Sequence, residues 1–153
     1  MSKKMSTNKK EIQIRSAVLG DAETIINLVR EYAVEAGETS PISIAYVATY
    51  LASPQNHVFI AEENGCILGL LSYSIRPDLY HAADTCLIEE LIVEKNVREQ
   101  GIAGALIEEL IRQLDKKSCI EISVSVMADN ASAIRFYKSH GLTDESLYLE
   151  RHF

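Results

Sequence analysis

Apolar and polar residues alternate along 11–17, which predicts a first strand. After Gly20-Asp21, the residues Ala22, Ile25, Ile26, Val29, Tyr32 and Ala33 recur at helical spacing. That stripe predicts a helix with Asp21 as its N-cap and an end near Gly37. Ser40-Pro41 marks a second helix running to Leu51, with proline in its first turn. Residues 57–62 and 66–75 are strand-like on either side of Asn64-Gly65, a strong hairpin signal. Residues 76–85 are polar and turn-rich and predict a loop, and 86–93 reads as a further strand. The clearest helix is 101–114, where Ile102, Ala103, Leu106, Ile107, Leu110, Ile111 and Leu114 form one stripe. Residues 119–126 alternate cleanly, with Ile120, Ile122, Val124 and Val126 on one face. A short helix, 131–140, is capped by Gly141, and 147–151 predicts a closing strand. An antiparallel hairpin followed by a strand–helix–strand unit implies an α/β (α+β) fold with a mixed central sheet.

Composition narrows the function classes. The 153 residues are one ordinary domain, and 47% hydrophobic with 24% charged is the mix of a soluble globular protein. A net charge of −7 argues against a general nucleic-acid binder. The charge is unevenly placed: Lys3, Lys4, Lys9 and Lys10 sit in a stretch without acids. The remaining 11–153 holds 11 basic and 22 acidic residues, a net of −11. The chain therefore divides into a disordered basic tail, 1–10, and an acidic domain, 11–153. Ser6-Thr7-Asn8 interrupts any leader-like apolar run, and nothing approaches 18 apolar residues, so no membrane partner is expected. Cys66, Cys86 and Cys119 are an odd, widely spaced set inside apolar stretches, which reads as buried thiols in a reducing cytoplasm. Neither the cysteines nor His57, His81, His140 and His152 have metal-ligand spacing, so no metal is expected.

The stretch 91–110 carries the chemistry. A strand runs into Arg98-Glu99-Gln100-Gly101-Ile102-Ala103-Gly104, where a helix begins. A glycine-rich helix entry presents N–H groups without intrahelical partners, and the helix dipole favours an anion there, typically a phosphate. Arg98 is placed to add a bidentate phosphate contact. Two common phosphate motifs are excluded: no Gly-Lys exists for a P-loop, and Gly101 with Gly104 does not make GxGxxG. The same residues also suit a tight strand–helix turn with no ligand.

Arg98-x-x-Gly101-x-Ala103 matches the Q/R-x-x-G-x-G/A signature of the GCN5-related N-acetyltransferases. Glu89-Glu90-Leu91-Ile92-Val93 resembles that family's fourth strand, and Asn130-x-x-Ala133-x-x-Phe136-Tyr137-x-x-x-Gly141-Leu142 resembles its second motif. The resemblance spans 11–153 and implies a GNAT-like fold in which two parallel strands, 88–93 and 119–126, part to admit acetyl-CoA. It implies that 98–104 (Arg98, Glu99, Gln100, Gly101, Ile102, Ala103, Gly104) cradles the pyrophosphate. It further implies that the backbone of Leu91, Ile92 and Val93 meets the pantetheine arm and polarises the thioester carbonyl. Asn130 would cap the short helix and touch the cofactor. Three positions depart from the pattern: Glu99 and Gln100 stand where relatives often have glycine or a base, and Leu142 replaces the usual phenylalanine.

Strict alternation puts Glu89 and Glu90 on opposite faces of the fourth strand, one charge on each. A bulge, as family members often have, would re-aim one of them toward the gap. An amine is protonated at neutral pH and must lose a proton before attacking, so Glu89 or Glu90, directly or through water, is the candidate base. Either one is equally a carboxylate paired with an arginine. The resemblance gives Tyr137 the role of acid toward the departing coenzyme A thiolate; taken alone it reads as a packing residue. Cys86 and Cys119 lack a histidine at catalytic spacing and read as core residues, and the resemblance implies direct transfer in a ternary complex. The acceptor is expected beside the gap, near the first two helices, among Tyr32, Tyr46, Tyr50, Tyr73, Tyr80, His81 and Asp84. The acidic domain favours a cationic acceptor, a primary amine on a small molecule or peptide. Arg76 leaves room for one that also bears an anion. The competing reading is a non-catalytic acyl-CoA-binding regulatory module on the same fold. Sheet edges of this kind permit a homodimer.

Overall fold

The computed structural model describes residues 11–153, and the expected tail at 1–10 lies outside them. The order is β1 (Gln13–Ser16), α1 (Ala22–Glu35), α2 (Ile44–Ala52), β2 (Asn56–Glu63), β3 (Cys66–Asp78), β4 (Ala83–Val93), α3 (Ile102–Leu114), β5 (Cys119–Val124) and α4 (Ala131–Ser139). The five strands form one sheet in sequence order. Its first three ladders are antiparallel and β4·β5 is parallel. This is the α/β architecture of a GNAT-like fold, a mixed sheet between two helical layers.

Each face of the sheet has its own core. Leu70 and Ile92 face α1 and α2 and pack with Ile25, Ile26, Leu28 and Val47. Leu71, Tyr73, Cys86 and Ile88 face the other way and meet Ile102, Leu106, Ile107, Leu110 and Leu114 of α3 and Tyr137 of α4. The stripe read from 101–114 is thus the buried face of α3. Each such side chain contributes about 1.5–3 kcal/mol by leaving water.

Several boundaries differ from the sequence expectation for local reasons. The 76–85 loop is largely strand: β3 runs to Asp78 and β4 starts at Ala83, leaving a short turn at 79–82. Cross-strand pairing carries this polar stretch, because a ladder satisfies the backbone whatever the side chains are. The second helix starts after Ser43, whose Oγ accepts the Tyr46 N–H, so Pro41 precedes the helix. The closing strand at 147–151 is absent: Leu147 and Leu149 are 84% and 82% exposed. Alternation selects faces but supplies no ladder partner, and β5 ends at Val124 as the sheet's outer strand. Cys66 is exposed rather than buried, since it opens β3 beside the Asn64-Gly65 turn.

Asp21 does not cap α1 with its side chain. Its carboxylate accepts two bonds from Arg15, at 2.8 and 2.9 Å, and one from the Val18 N–H at 2.8 Å. Arg15 also reaches Glu62, tying β1, the turn before α1 and β2 together. The Arg15 guanidinium holds the Asp21 carboxyl below the usual carboxylate range. A lowered folded-state pKa stabilises above the unfolded value of 3.8, and the gain is lost as pH falls through the folded value. Asp21→Asn should therefore cost about 1–3 kcal/mol at neutral pH. In thermal melts, its deficit against the parent should shrink as the buffer is acidified below the ordinary carboxylate range.

Gly69 sits opposite Val93 in the β3·β4 ladder. A Cβ there would lie 2.7 Å from the Ile92 carbonyl oxygen and 3.4 Å from Ile102 Cγ2. The nearer atom is backbone and cannot rotate away. Gly69→Ala should cost about 1–3 kcal/mol by forcing the strands apart, read as a fall in Tm of about 2–4 °C per kcal/mol.

Candidate active site

The β3·β4 register shifts between Ser72 and Tyr73: Ser72 opposes Glu90 and Tyr73 opposes Ile88, so Glu89 is the extra residue of a bulge. The consequence corrects the alternation argument. With one residue inserted, Glu89 and Glu90 both turn to the α1/α2 face, and Ile88 keeps its place on the opposite face. Glu89 accepts from Ser74 Oγ and from the Tyr50 hydroxyl, each at 3.2 Å. Glu90 accepts a bond from Ser72 Oγ, and its own N–H donates back to that oxygen at 3.0 Å. Ser72 and Ser74 are buried, which strengthens their hold on the two carboxylates.

These carboxylates form one end of a cavity of about 590 Å³ between α1, α2 and the sheet. Both glutamates are reached by solvent, yet surrounding protein weakens the hydration of Glu90. That desolvation, reinforced by the charge of Glu89, raises the Glu90 carboxyl pKa against the lowering effect of Ser72. Burial raises the Tyr50 phenol as well, and the two glutamates add to the shift, so Tyr50 is a neutral donor to Glu89.

On the other side of β4 the sheet opens. The parallel ladder with β5 runs only from Asp84↔Cys119 to Ile88↔Val124, whereas β4 continues to Val93. Among the described residues no strand pairs with the outer edge of Leu91, Ile92 and Val93. Apart from the Val93 carbonyl, which accepts from Arg98 Nε, chain groups on that edge are placed to pair with an extended ligand arm. Beyond it, Glu99 (φ 61°) and Gly101 (φ 83°) both adopt the left-handed conformation that swings the chain into α3. The first intrahelical bond is from the Ala105 N–H to the Gly101 carbonyl, which leaves the amides of Ile102, Ala103 and Gly104 without helix partners. Donors of this kind suit a pyrophosphate. The Glu99 carboxylate is an exposed departure from that pattern.

Arg98 has a partner that the sequence did not suggest. Its two terminal nitrogens donate to the Glu35 carboxylate, both at 2.8 Å, and its Nε donates to the Val93 carbonyl at 3.1 Å. Arg98 therefore straps the end of α1 to the end of β4. The guanidinium holds the Glu35 carboxyl below its ordinary range.

Tyr137 lies on the α3/α4 side, 9% exposed, with its ring edge-on to Phe136 at 5.2 Å. Burial pushes its phenol up to about 12, with a smaller contribution from Tyr32 of α1. The glutamates and Tyr137 thus occupy opposite faces of the sheet, on either side of the opening between β4 and β5. Asn130 caps α4 by accepting the Ala133 N–H at 3.1 Å. Burial pushes the Cys86 thiol up to about 12, far from a nucleophilic thiolate at neutral pH.

Of the acceptor residues expected from the sequence, Tyr46 and Tyr50 line the cavity. Tyr73 faces α3 and stacks on His57 at 4.9 Å, while Tyr80 and His81 lie on the exposed β3–β4 turn. Tyr32 and Asp84 are not among the cavity's lining residues. Sequence reasoning missed Ser72 and Ser74. Their signal was two small hydroxyls at period two inside an otherwise apolar strand. Glu35 was also missed, because a contact across 63 positions leaves no local pattern.

Comparison with known proteins converges on one family model. The Acetyltransferase (GNAT) family model matches residues 22–142. A thialysine N-epsilon-acetyltransferase from Bos taurus is 25% identical over 145 residues, covering 87% of this chain and 85% of that protein. An L-amino acid N-acetyltransferase from Escherichia coli (strain K12) is 32% identical over 85 residues, covering 54% of this chain and 50% of that protein. An aminoglycoside acetyltransferase from an uncultured soil metagenomic sample, solved in complex with sisomicin, superposes with a TM-score of 0.79 at 23% identity. That match covers 93% of this chain and 95% of the other, and it concerns the fold.

Proposed function

The chain belongs to the GNAT acetyltransferase family and is an acetyl-CoA-dependent N-acetyltransferase, and from that premise we propose that it acetylates a primary amine directly, with Glu90 as base, Glu89 as ammonium anchor and Tyr137 as acid. The observation that carries this reading is the bulge, which turns both carboxylates into one cavity beside the open edge of β4.

The bound cosubstrate supplies an electrophilic thioester carbonyl. The free amides of Ile102, Ala103 and Gly104 would hold its pyrophosphate, and the open edge of Leu91, Ile92 and Val93 would take its pantetheine arm. An N–H on that edge would polarise the carbonyl. Glu89, oriented by Tyr50 and Ser74, receives the substrate ammonium. Glu90, whose carboxyl pKa is raised by desolvation, takes the ammonium's proton and frees the nitrogen lone pair. The amine nitrogen bonds to the acetyl carbon, the carbon–sulfur bond breaks, and the Tyr137 hydroxyl delivers a proton to the departing sulfur. The nitrogen's second proton, relayed through solvent in the opening, restores Tyr137, and Glu90 releases the first to bulk water. Arg98 serves here as the strap to Glu35, with its charge adding to the potential near the phosphates.

Two measurements on the whole chain test this reading. Saturating acetyl-CoA should raise the Tm through linkage, and a thiol-reactive dye should register coenzyme A release on addition of amines. Absence of both responses would sink the proposal. A Tm rise with no release for any amine would instead favour a binding module.

A further inference from the structure

The cavity that ends on Glu89 and Glu90 has a distinctive distribution of polarity. Its walls are hydrocarbon, from Ile25, Val29, Ile42, Val47 and Leu51, and its charge is confined to the two adjacent carboxylates. Among the described residues that line it there is no Lys, Arg or His. Arg30 of α1, beyond the lining, donates to the Ile42 carbonyl at 3.0 Å. Of the other hydroxyls, Tyr50 donates to Glu89, while Ser40 and Ser43 accept the Ile42 and Tyr46 N–H groups and sit with Tyr46 on the α2 side of the cavity, away from the Ile25 and Val29 wall of α1. The cavity's volume, about 590 Å³, lies within the usual range for small-molecule sites.

We infer that the acceptor is a monocationic primary amine carried on an apolar aliphatic or aromatic body, with the ammonium on Glu89 and Glu90 and the body against α1 and α2. This inference rests on the acetyltransferase reading and specifies its substrate. The selection is by exclusion as well as fit. A polyamine or an aminoglycoside would bring further ammonium or hydroxyl groups against Ile25, Val29 and Ile42, where each lacks a partner and carries its full desolvation cost. A free amino acid would bring a carboxylate into a site that has two carboxylates and no cation. An apolar body gains from the same walls by leaving water. Transfer forms the nitrogen–carbon bond of the amide and breaks the thioester carbon–sulfur bond; of the two protons the ammonium loses, one goes to Glu90 and the other replaces the proton that Tyr137 gives to the departing thiolate.

The test is a competition panel on the full-length protein with acetyl-CoA: 2-phenylethylamine, hexylamine, spermidine, kanamycin and free lysine, with each acetylated product quantified by mass spectrometry. The first two should exceed the other three in kcat/KM by about 10–100-fold, the discrimination expected when polar groups are left unpaired. Equal or better turnover of spermidine, kanamycin or lysine overturns the inference and leaves the acetyltransferase reading intact. No product from any amine overturns both. Val29→Asp supplies an independent arm by placing a second carboxylate site along the wall. It should lower kcat/KM for hexylamine about tenfold, raise that for 1,6-diaminohexane, and leave acetyl-CoA binding unchanged. If both amines fall together in a variant that still binds acetyl-CoA, the wall does not select the acceptor and the inference fails.

Discussion

Glu90→Gln should lower kcat/KM for acetyl transfer by about 10²–10⁴-fold, the range typical for loss of a positioned base, with acetyl-CoA affinity unchanged. The amide keeps an acceptor oxygen for Ser72, so the bulge retains its brace while the proton acceptor is lost. The pH profile carries the diagnosis. Desolvation raises the Glu90 carboxyl above its ordinary value of 4.5, so the active ionised form accumulates only as pH rises through that higher value. The acidic limb of kcat/KM in the parent should lie above the ordinary carboxylate range, and it should vanish in Glu90→Gln.

Stability moves in the opposite sense to activity. A carboxyl with a raised folded-state pKa binds protons more tightly when folded, so ionising it costs stability as pH rises from 4.5 through the folded value. Glutamine does not ionise, and the variant's Tm relative to the parent should climb across that window. A merely structural glutamate would show matched losses of Tm and rate. Glu89→Gln serves as the contrast: with Tyr50 and Ser74 still in place, it should raise the KM for amine more than it lowers kcat. Equal effects of the two substitutions on kcat would remove the division of labour between the carboxylates.

The helices and the central strands were legible because their signals are local and repeated. The stripe from Ile102 to Leu114 recurs over three turns, and only one face of that helix can be buried. Gly101 and Gly141 stand where a left-handed backbone is required, and Asn130 stands where a cap is required. What escaped was whatever depends on register between strands. Period two places Glu89 and Glu90 on opposite faces, and a one-residue slip at Ser72/Tyr73 places them on the same one. Two adjacent charges in a central strand signalled an irregularity there. Their meaning as a pair needed Ser72 and Ser74 from β3 and Tyr50 from α2. Arg98 shows the same limit: its motif suggests phosphate, and nothing local announces its ion pair with Glu35, 63 positions away. The strand expected at 147–151 failed because a strand is a property of two segments, and its pattern described only one.

Tyr137→Phe should lower kcat by about 10²-fold while the KM for amine and the affinity for acetyl-CoA stay close to parental values. Phenylalanine fits the same apolar cluster, where Tyr137 packs with Leu106, Ile107 and Cys86, so the Tm should change little. Burial holds the phenol near 12, and the raised value means that it stays protonated, and able to donate, throughout the neutral and mildly alkaline range. The parent should therefore show no loss of kcat on the basic side attributable to this group, and the variant's deficit should be uniform there. A full kcat in Tyr137→Phe would return the residue to a packing role and leave the base assignment standing. The double variant, Glu90→Gln with Tyr137→Phe, is the sharper test. If the base and the acid serve successive proton transfers around one bond exchange, whichever transfer has become slowest sets the rate. The double variant should then be only slightly worse than the worse single one. Two residues that merely shape the cavity and the core from opposite faces of the sheet would instead give losses that add as free energies.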